Sequence, residues 1–147
     1  MKLKFIIVLS LLLVSLPINA QEGWFWQNPY PTGNKLNDVC FVNQNAGLVV
    51  GDVGTILKTS DDGLSWINHT IGTEYDIKSV YFIDQNIGWG VGFDWNNILG
   101  LIFKTTNGGV SFTFQTYELP VILISVYFID QYNGWILGGF YPGGRFT

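Results

Sequence analysis

An all-β fold is predicted by three features of the sequence. A segment recurs three times at intervals of just over 40 residues, aromatic residues are punctuated by glycines, and charge is sparse. Of the 147 residues, 18 are Gly, 16% are Phe, Trp or Tyr, 48% are hydrophobic and only 12% are charged. Rings and glycines mixed in this way favour short strands and tight turns over helices. High hydrophobicity with little charge excludes a disordered chain. A coiled coil would instead be rich in Ala, Glu, Lys, Leu and Arg. The length allows about one domain, at ~100–200 residues each.

Residues 1–20 read as a secretory leader outside the fold. Lys2 and Lys4 make a positive start, Phe5 to Leu16 is an apolar run, Pro17 breaks it, and Ala20 supplies a small residue for cleavage. The run is too short to span a bilayer comfortably, so no membrane span is expected after cleavage. The expected location is outside the bacterial cytoplasm: periplasm, cell surface or secreted. Removing the leader takes away two of the seven basic residues. Five then stand against 11 acidic ones, a net charge of −6. An acidic chain of this kind is not expected to bind nucleic acid. Cys40 is the only cysteine, so no internal disulfide can form. It sits in an apolar strand, where it reads as a small core residue and not a nucleophile.

The repeats define the architecture. LNDVCFVNQNAGLVVGD begins at Leu36, IKSVYFIDQNIGWGVGF at Ile77 and LISVYFIDQYNGWILGG at Leu123. Val39 matches Val80 at a spacing of 41, and Val80 matches Val126 at 46. A period of about 40–45 residues is that of a β-propeller, one four-stranded blade per repeat. In the first repeat the strands are expected at Leu36 to Val42, Leu48 to Gly51, Thr55 to Thr59 and Leu64 to Asn68. The turn Asn43 to Gly47 is expected to use the tolerance of Asn and Gly for positive φ. Strands apolar on both faces suit blades held between two others.

Between the third and fourth strands lies TSDDGLSW, Thr59 to Trp66, and the second repeat has TTNGGVSF, Thr105 to Phe112. Asp61 or Asn107 is expected to pin the turn by accepting N–H groups two residues on. Gly63 or Gly109 supplies a φ that other residues take only at a cost, Ser65 or Ser111 follows, and Trp66 or Phe112 returns a large ring to the core. This pattern resembles the Asp-box, or bacterial neuraminidase repeat, of β-propellers. Trp26 precedes Val39 by 13 residues, as Trp66 and Phe112 precede Val80 and Val126 by 14. Gly23 to Pro29 therefore reads as a lone fourth strand of the kind that closes a propeller ring. The third repeat stops by Thr147. The expected fold is a partial propeller of antiparallel four-stranded blades, about two and a half blades plus that closing strand. The chain reads as the N-terminal portion of a longer protein, residues 21–147 belonging to the propeller. A small chain that closes by self-association is the alternative.

Catalytic residues are not expected. His69 is the only histidine and has no nameable partner. Asp61 and Asp62 sit on one tight turn, where two carboxylates do not face a common substrate as glycosidases require. No metal-ligand spacing and no phosphate loop occur, so neither metal nor cofactor is expected. Asn68-His69-Thr70 matches a glycosylation sequon. Sialidases grip a substrate carboxylate with several arginines, whereas this chain has one, Arg145. The likeness to them carries architecture without catalysis.

The run LNDVCFVNQNAGLVVGDVGTILKTSDDGLSW is similar to the repeats of photosystem II stability/assembly factor-like propellers, over about Trp24 to Gly139. The resemblance implies a non-catalytic scaffold that binds a protein partner. Carbohydrate recognition or sialidase-like hydrolysis, with an extracellular glycan as partner, is the alternative, and a structural cell-surface module is a third.

The repeats differ most between the second and third strands. The first has Gly51 to Gly54, the second Gly92 to Gly100 and the third Gly138 to Gly144. Variable loops on a fixed scaffold are where function usually sits. The candidate ligand-binding residues are therefore Phe93, Asp94, Trp95, Asn96 and Asn97 in the second loop and Phe140 and Tyr141 in the third. Their rings are expected to be exposed and able to anchor a peptide or stack on a sugar.

Overall fold

The computed structural model describes residues 32–69, 71, 74–117 and 120–140. The leader at 1–20, the strand expected at 23–29, Thr70 of the sequon, Tyr141 and Arg145 lie outside the described residues. Those described form strands and turns. The strands are β1 (Leu36–Phe41), β2 (Gly47–Gly51), β3 (Ile56–Thr59), β4 (Ile67–Asn68), β5 (Tyr75–Phe82), β6 (Gly88–Asp94), β7 (Leu99–Thr105), β8 (Thr113–Tyr117), β9 (Val121–Phe128) and β10 (Gly134–Phe140). β1 to β4 make one sheet in sequence order and β5 to β8 a second, while β9 pairs with β10. Every pairing is antiparallel. These are blades 1, 2 and 3. The fold is all-β, as the repeats predict.

The first strand of each blade turns into the second in the same way, though not by positive φ. Asn43, Asp84 and Asp130 each fold the side-chain oxygen back onto two N–H groups. Asn43 Oδ1 takes those of Asn45 and Ala46, Asp84 Oδ1 those of Asn86 and Ile87, and Asp130 Oδ1 those of Tyr132 and Asn133. These are Asx turns, in which a short polar side chain stands in for a backbone acceptor. After each turn comes a glycine directly opposite a phenylalanine: Phe41 faces Gly47, Phe82 faces Gly88 and Phe128 faces Gly134. A Cβ on any of these glycines would run into the ring. The ring lies over the bare backbone, and that packing explains the recurrent Phe-to-Gly spacing of six.

Two expected bounds are corrected. The fourth strand of blade 1 was expected from Leu64, but β4 begins at Ile67. Leu64 and Ser65 belong to the preceding turn, where the Leu64 N–H bonds the Asp61 carbonyl at 3.2 Å. The five extra residues of the second repeat were expected in a long loop. Instead β6 has seven residues against five in β2, and β7 has seven against four in β3. The connecting turn stays at four residues, 52–55 in blade 1 and 95–98 in blade 2. The insertion lengthens a hairpin, whose strands can keep their hydrogen bonds, and avoids a loop with unpaired backbone groups.

The core lies between blades. Leu48, Val50 and Ile56 of blade 1 pack with Ile77, Val80, Phe82, Leu101 and Phe103 of blade 2. On the other side of blade 2, Trp89 and Val91 pack with Val126 of blade 3. β2 and β6 are buried along their whole length, whereas every described residue of β10 is exposed. Cys40 packs against the first cluster, half-buried. Burial raises its thiol pKa; a hydrogen bond involving the Phe82 backbone lowers it, nearby Asp38 raises it, and the net shift is upward. Such a thiol is a poor nucleophile at neutral pH.

Candidate functional site

The up-and-down order of strands gives the molecule two ends. One carries the β1–β2 and β3–β4 turns and their counterparts in blade 2. The Asp62 N–H reaches the Asn45 carbonyl at 3.0 Å, and the Gly108 N–H reaches the Asn86 carbonyl at 2.9 Å, which ties these turns together. The other end carries the β2–β3 and β6–β7 hairpins.

At the first end the two boxes have one geometry. The Thr59 hydroxyl accepts the N–H of Gly63 at 3.0 Å and of Asp61 at 3.3 Å, and it donates to Asp61 Oδ1 at 2.8 Å. Asp61 Oδ1 accepts the Ser65 N–H at 2.9 Å, and Oδ2 accepts the Ser65 hydroxyl at 2.6 Å. In blade 2 the Thr105 hydroxyl accepts the N–H of Gly109 and Asn107. Asn107 accepts the Ser111 N–H at 2.9 Å and donates through Nδ2 to the Ser111 hydroxyl at 2.8 Å. Gly63 and Gly109 both have φ of +79°, as their place in the pattern predicts. The expected role of Asp61 and Asn107 is corrected. They bind the residue four positions on, and the threonine hydroxyl binds the residue two positions on. Trp66 is half-buried and meets Phe41 edge-on at 6.3 Å, while Phe112 meets Phe103 at 5.3 Å.

Thr59 is buried, so Thr59→Val should strand the Gly63 N–H and cost about 1–3 kcal/mol. Chemical denaturation reads this directly. A valine variant as stable as the wild type would mean that the hydroxyl does not hold the turn.

The carboxylates in these turns also predict an acid response. Hydrogen bonds from the Ser65 hydroxyl and N–H and from Thr59 hold the Asp61 pKa below its usual 3.8. The Ile87 and Asn86 N–H groups do the same for Asp84, and the Asn133 amide with the Tyr132 N–H for Asp130. A carboxylate whose folded pKa is lowered contributes stability above its unfolded value and loses it as pH falls through the folded one. The melting temperature should therefore hold steady down to about pH 5 and fall progressively below 3.8. Asp61→Asn, which copies Asn107, should flatten that fall. A melting curve unchanged down to pH 2 would contradict it.

At the hairpin end the candidate residues divide. Phe93 is fully buried and Asp94 nearly so, which corrects the expectation of an exposed Phe93 ring. Asp94 Oδ1 accepts the N–H of Asn96 at 2.8 Å and of Asn97 at 3.2 Å, and Oδ2 accepts Asn97 Nδ2 at 2.7 Å. Burial pushes the Asp94 pKa up, but these hydrogen bonds outweigh it and leave the pKa below 3.8. Asp94 is thus the pin of the hairpin turn. Trp95, Asn96 and Asn97 are exposed. The Trp95 ring meets Phe93 edge-on at 4.9 Å, and its Nε1 donates to Asp76 Oδ2 at 2.6 Å. Asn96 Nδ2 donates to Glu74. Phe140 is exposed at the end of β10, on this same end of the molecule.

Sequence reasoning missed the residues that brace Trp95. Lys78 Nζ bridges Asp76 and Asp52 at 3.1 Å each. Asn37 Nδ2 reaches Asp52 Oδ1 at 2.7 Å and the Ile77 carbonyl at 2.8 Å. Burial raises the Asp52 pKa, yet the hydrogen bonds from Asn37 and Lys78 leave it lowered overall. Asn37 and Lys78 occupy one repeat position. In each blade the register of the first strand slips there, between Leu36 and Asp38, between Ile77 and Ser79, and opposite Leu137 and Gly138. A bulge leaves one residue unpaired and re-aims its side chain. The available signal was a polar residue, Asn37 or Lys78, at the same place in two repeats.

Between blades 1 and 2 a crevice of about 230 Å³ opens at the box end, beside Lys58, Leu48 and Asn86. Lys58 Nζ donates to the Gly108 carbonyl at 2.8 Å and so joins the two blades. The space is below the ~300–1,000 Å³ of ordinary ligand pockets. The described residues hold no group of three or more His, Cys, Asp or Glu placed to bind a metal ion.

A family model described as photosynthesis system II assembly factor YCF48 matches residues 16–114. The chain belongs to this family. Two solved structures of YCF48 are similar. One, YCF48 bound to D1 peptide, is 25% identical with a TM-score of 0.62, over 73% of this chain and 35% of that one. The other, YCF48 from Cyanidioschyzon merolae, is also 25% identical with a TM-score of 0.54, over 67% of this chain and 29% of that one. This YCF48-family chain spans about a third of the length of either. No curated protein matches it. The four-stranded sheets and the likeness to YCF48 together make the fold a partial β-propeller of neuraminidase-type repeats.

Proposed function

We propose that this chain is a non-catalytic scaffold, exported from a bacterial cell, that recognises an extended segment of a protein partner at the hairpin end of its blades. The observation that carries this reading is the match to the YCF48 family, together with a similar YCF48 structure described as bound to D1 peptide. Export rests on the leader at residues 1–20. The binding role falls to Trp95, Asn96 and Asn97, with Phe140 and Tyr141 as further candidates. Trp95 has the features of an interface anchor: an exposed aromatic body, a polar edge tied to Asp76, and a rigid hairpin beneath it. A ring held this way loses little freedom on binding. The two asparagines can meet a peptide backbone, which alternates donors and acceptors. A scaffold, unlike an enzyme, has no need of an activated group, and the Asp61 carboxylate of the first box is spent on its own turn.

The test is selection against a phage-displayed library of random 12-residue peptides. The expected result is a recurrent motif bound by the wild type and rejected by Trp95→Ala. No enrichment, or a motif indifferent to Trp95, would overturn the placement of the site.

A further inference from the structure

The indole of Trp95 ends a chain of contacts that begins on the neighbouring blade. Its Nε1 donates to Asp76 Oδ2 at 2.6 Å, and the same oxygen accepts Lys78 Nζ at 3.1 Å. Lys78 Nζ also reaches Asp52 Oδ1 of blade 1 at 3.1 Å. Asp76 Oδ1 accepts the N–H of Val53, next to Asp52, at 3.3 Å. The chain thus runs from the β2–β3 turn of blade 1 to the Trp95 ring of blade 2. Its three charged side chains are 24% exposed or less, so solvent screens them less than it would a surface pair.

Lys78 has little freedom of its own. It is the residue that the β5 register skips, between Ile77 and Ser79. Blade 1 pins the backbone on both sides of that bulge. Asn37 Nδ2 donates to the Ile77 carbonyl at 2.8 Å. Asp38 Oδ2 accepts the Ser79 hydroxyl at 2.8 Å and the Val80 N–H at 3.0 Å. The turn that carries Asp52 is tied down as well. Val53 is β-branched and has φ of +56°, a conformation that persists only where its surroundings fix it. Its N–H bonds to Asp76 and that of Gly54 to the Tyr75 carbonyl, both on blade 2. Backbone held on both blades therefore aims the ammonium at the two carboxylates.

We propose that Lys78 is a positioning residue for the Trp95 site, fixing the indole through Asp76 before any partner arrives. The inference rests on the recognition role given to Trp95 above. Without the ammonium, Asp52 and Asp76 are like charges that repel at close range. Asp76 then turns toward water and Trp95 loses a fixed acceptor. A ring that must be ordered at the moment of binding costs affinity. The device belongs to one seam. Blade 3 has Ile124 at the position of Lys78, and among the described residues no ion pair joins blade 2 to blade 3. Of the two seams described, only that of blades 1 and 2 can hold an indole in this way.

Nitrogen–proton spectra of the full chain test this first, with no ligand present. The Trp95 Nε1–H signal is identified by its loss in Trp95→Phe. In Lys78→Met its exchange with water should quicken about tenfold, as for the loss of a hydrogen bond to a charged acceptor, while the other indole signals stay in place. Lys78→Gln, which keeps a polar tip without the charge, should act in the same direction, and Lys78→Arg should keep the exchange slow. Unchanged exchange in both Lys78→Met and Lys78→Gln would overturn the proposal. The second measurement is affinity for the library peptide selected with the wild type. Lys78→Met should weaken it about three- to tenfold, the cost of ordering one side chain. The same change should have no effect in an Asp76→Ala background, because Lys78 acts through that carboxylate. Faster exchange with affinity unchanged, or equal weakening in both backgrounds, would also overturn the proposal. A peptide bound equally well by Trp95→Ala would sink the recognition reading instead, and the exchange rates would still decide whether Lys78 positions the ring.

Discussion

Phe103→Ala is expected to lower stability by about 3–5 kcal/mol, the usual cost of emptying a buried phenylalanine site. Phe103 is 2% exposed on β7, inside the cluster joining blades 1 and 2. Its ring lies over Gly90 of β6 so closely that a Cβ there would overlap it. It also meets Phe112 at 5.3 Å and Phe114 at 5.8 Å. The truncation therefore opens a cavity walled by the β6 backbone at Gly90 and by two rings, Phe114 on β8 and Phe112 just before it, so the site collapses poorly. A loss of this size is a large share of the ~5–15 kcal/mol that holds a typical domain. The Gly90 contact gives a second, sharper expectation. Gly90→Ala should destabilise the wild type by overpacking, ~1–3 kcal/mol, and should do so less in the Phe103→Ala background. Denaturant unfolding of the four proteins closes this cycle. Additive effects would mean that the ring does not rest on the glycine.

Trp89→Ala is expected to cost a similar ~3–5 kcal/mol, with a different signature. Trp89 stacks on Phe128, and Lys104 Nζ lies 4.9 Å from its ring centroid. Removing the indole takes away the main contact between blades 2 and 3 and leaves blade 1 untouched. Amide exchange should accelerate in β9 and β10 while β1 to β3 stay protected. Uniform acceleration across all strands would show that the blades unfold as one unit and that this contact is not local.

Much of the fold is legible because a propeller repeats its instructions. The Val-x-Phe run, the Asx residue after it and the glycine beyond recur three times. Each repeat is one sheet whose faces are covered by its neighbours, so the strands of blade 1 could be placed to within a residue or so except β4. That strand failed because Leu64 is apolar but sits in the turn, 80% exposed; burial cannot be read from side-chain type alone. The box was legible in its glycines and only half legible in its hydrogen bonds. The threonine hydroxyl does what was expected of Asp61, and spacing says nothing about which of two nearby oxygens takes an N–H. At the hairpin end the loop residues were found but their directions were not. A five-residue insertion reads as a longer loop or a longer hairpin equally well, and here it extends two strands, which turns Phe93 inward and leaves Trp95 outside. The brace of Lys78, Asp76 and Asp52 joins two blades through a bulge, and the polar residue recurring at Asn37 and Lys78 marks the position without naming its partners.

The central claim is that fold and recognition are carried by opposite ends of the blades, turn boxes at one and the Trp95 hairpin at the other. Calorimetric titration of the library-selected peptide into wild type and Trp95→Ala, with a melting curve of each, tests it most directly. The account predicts at least a tenfold loss of affinity, about 1.4 kcal/mol, with the melting temperature lowered by no more than ~5 °C. Equal affinity in the two proteins, or a collapse in melting temperature that accompanies the loss of binding, would contradict it.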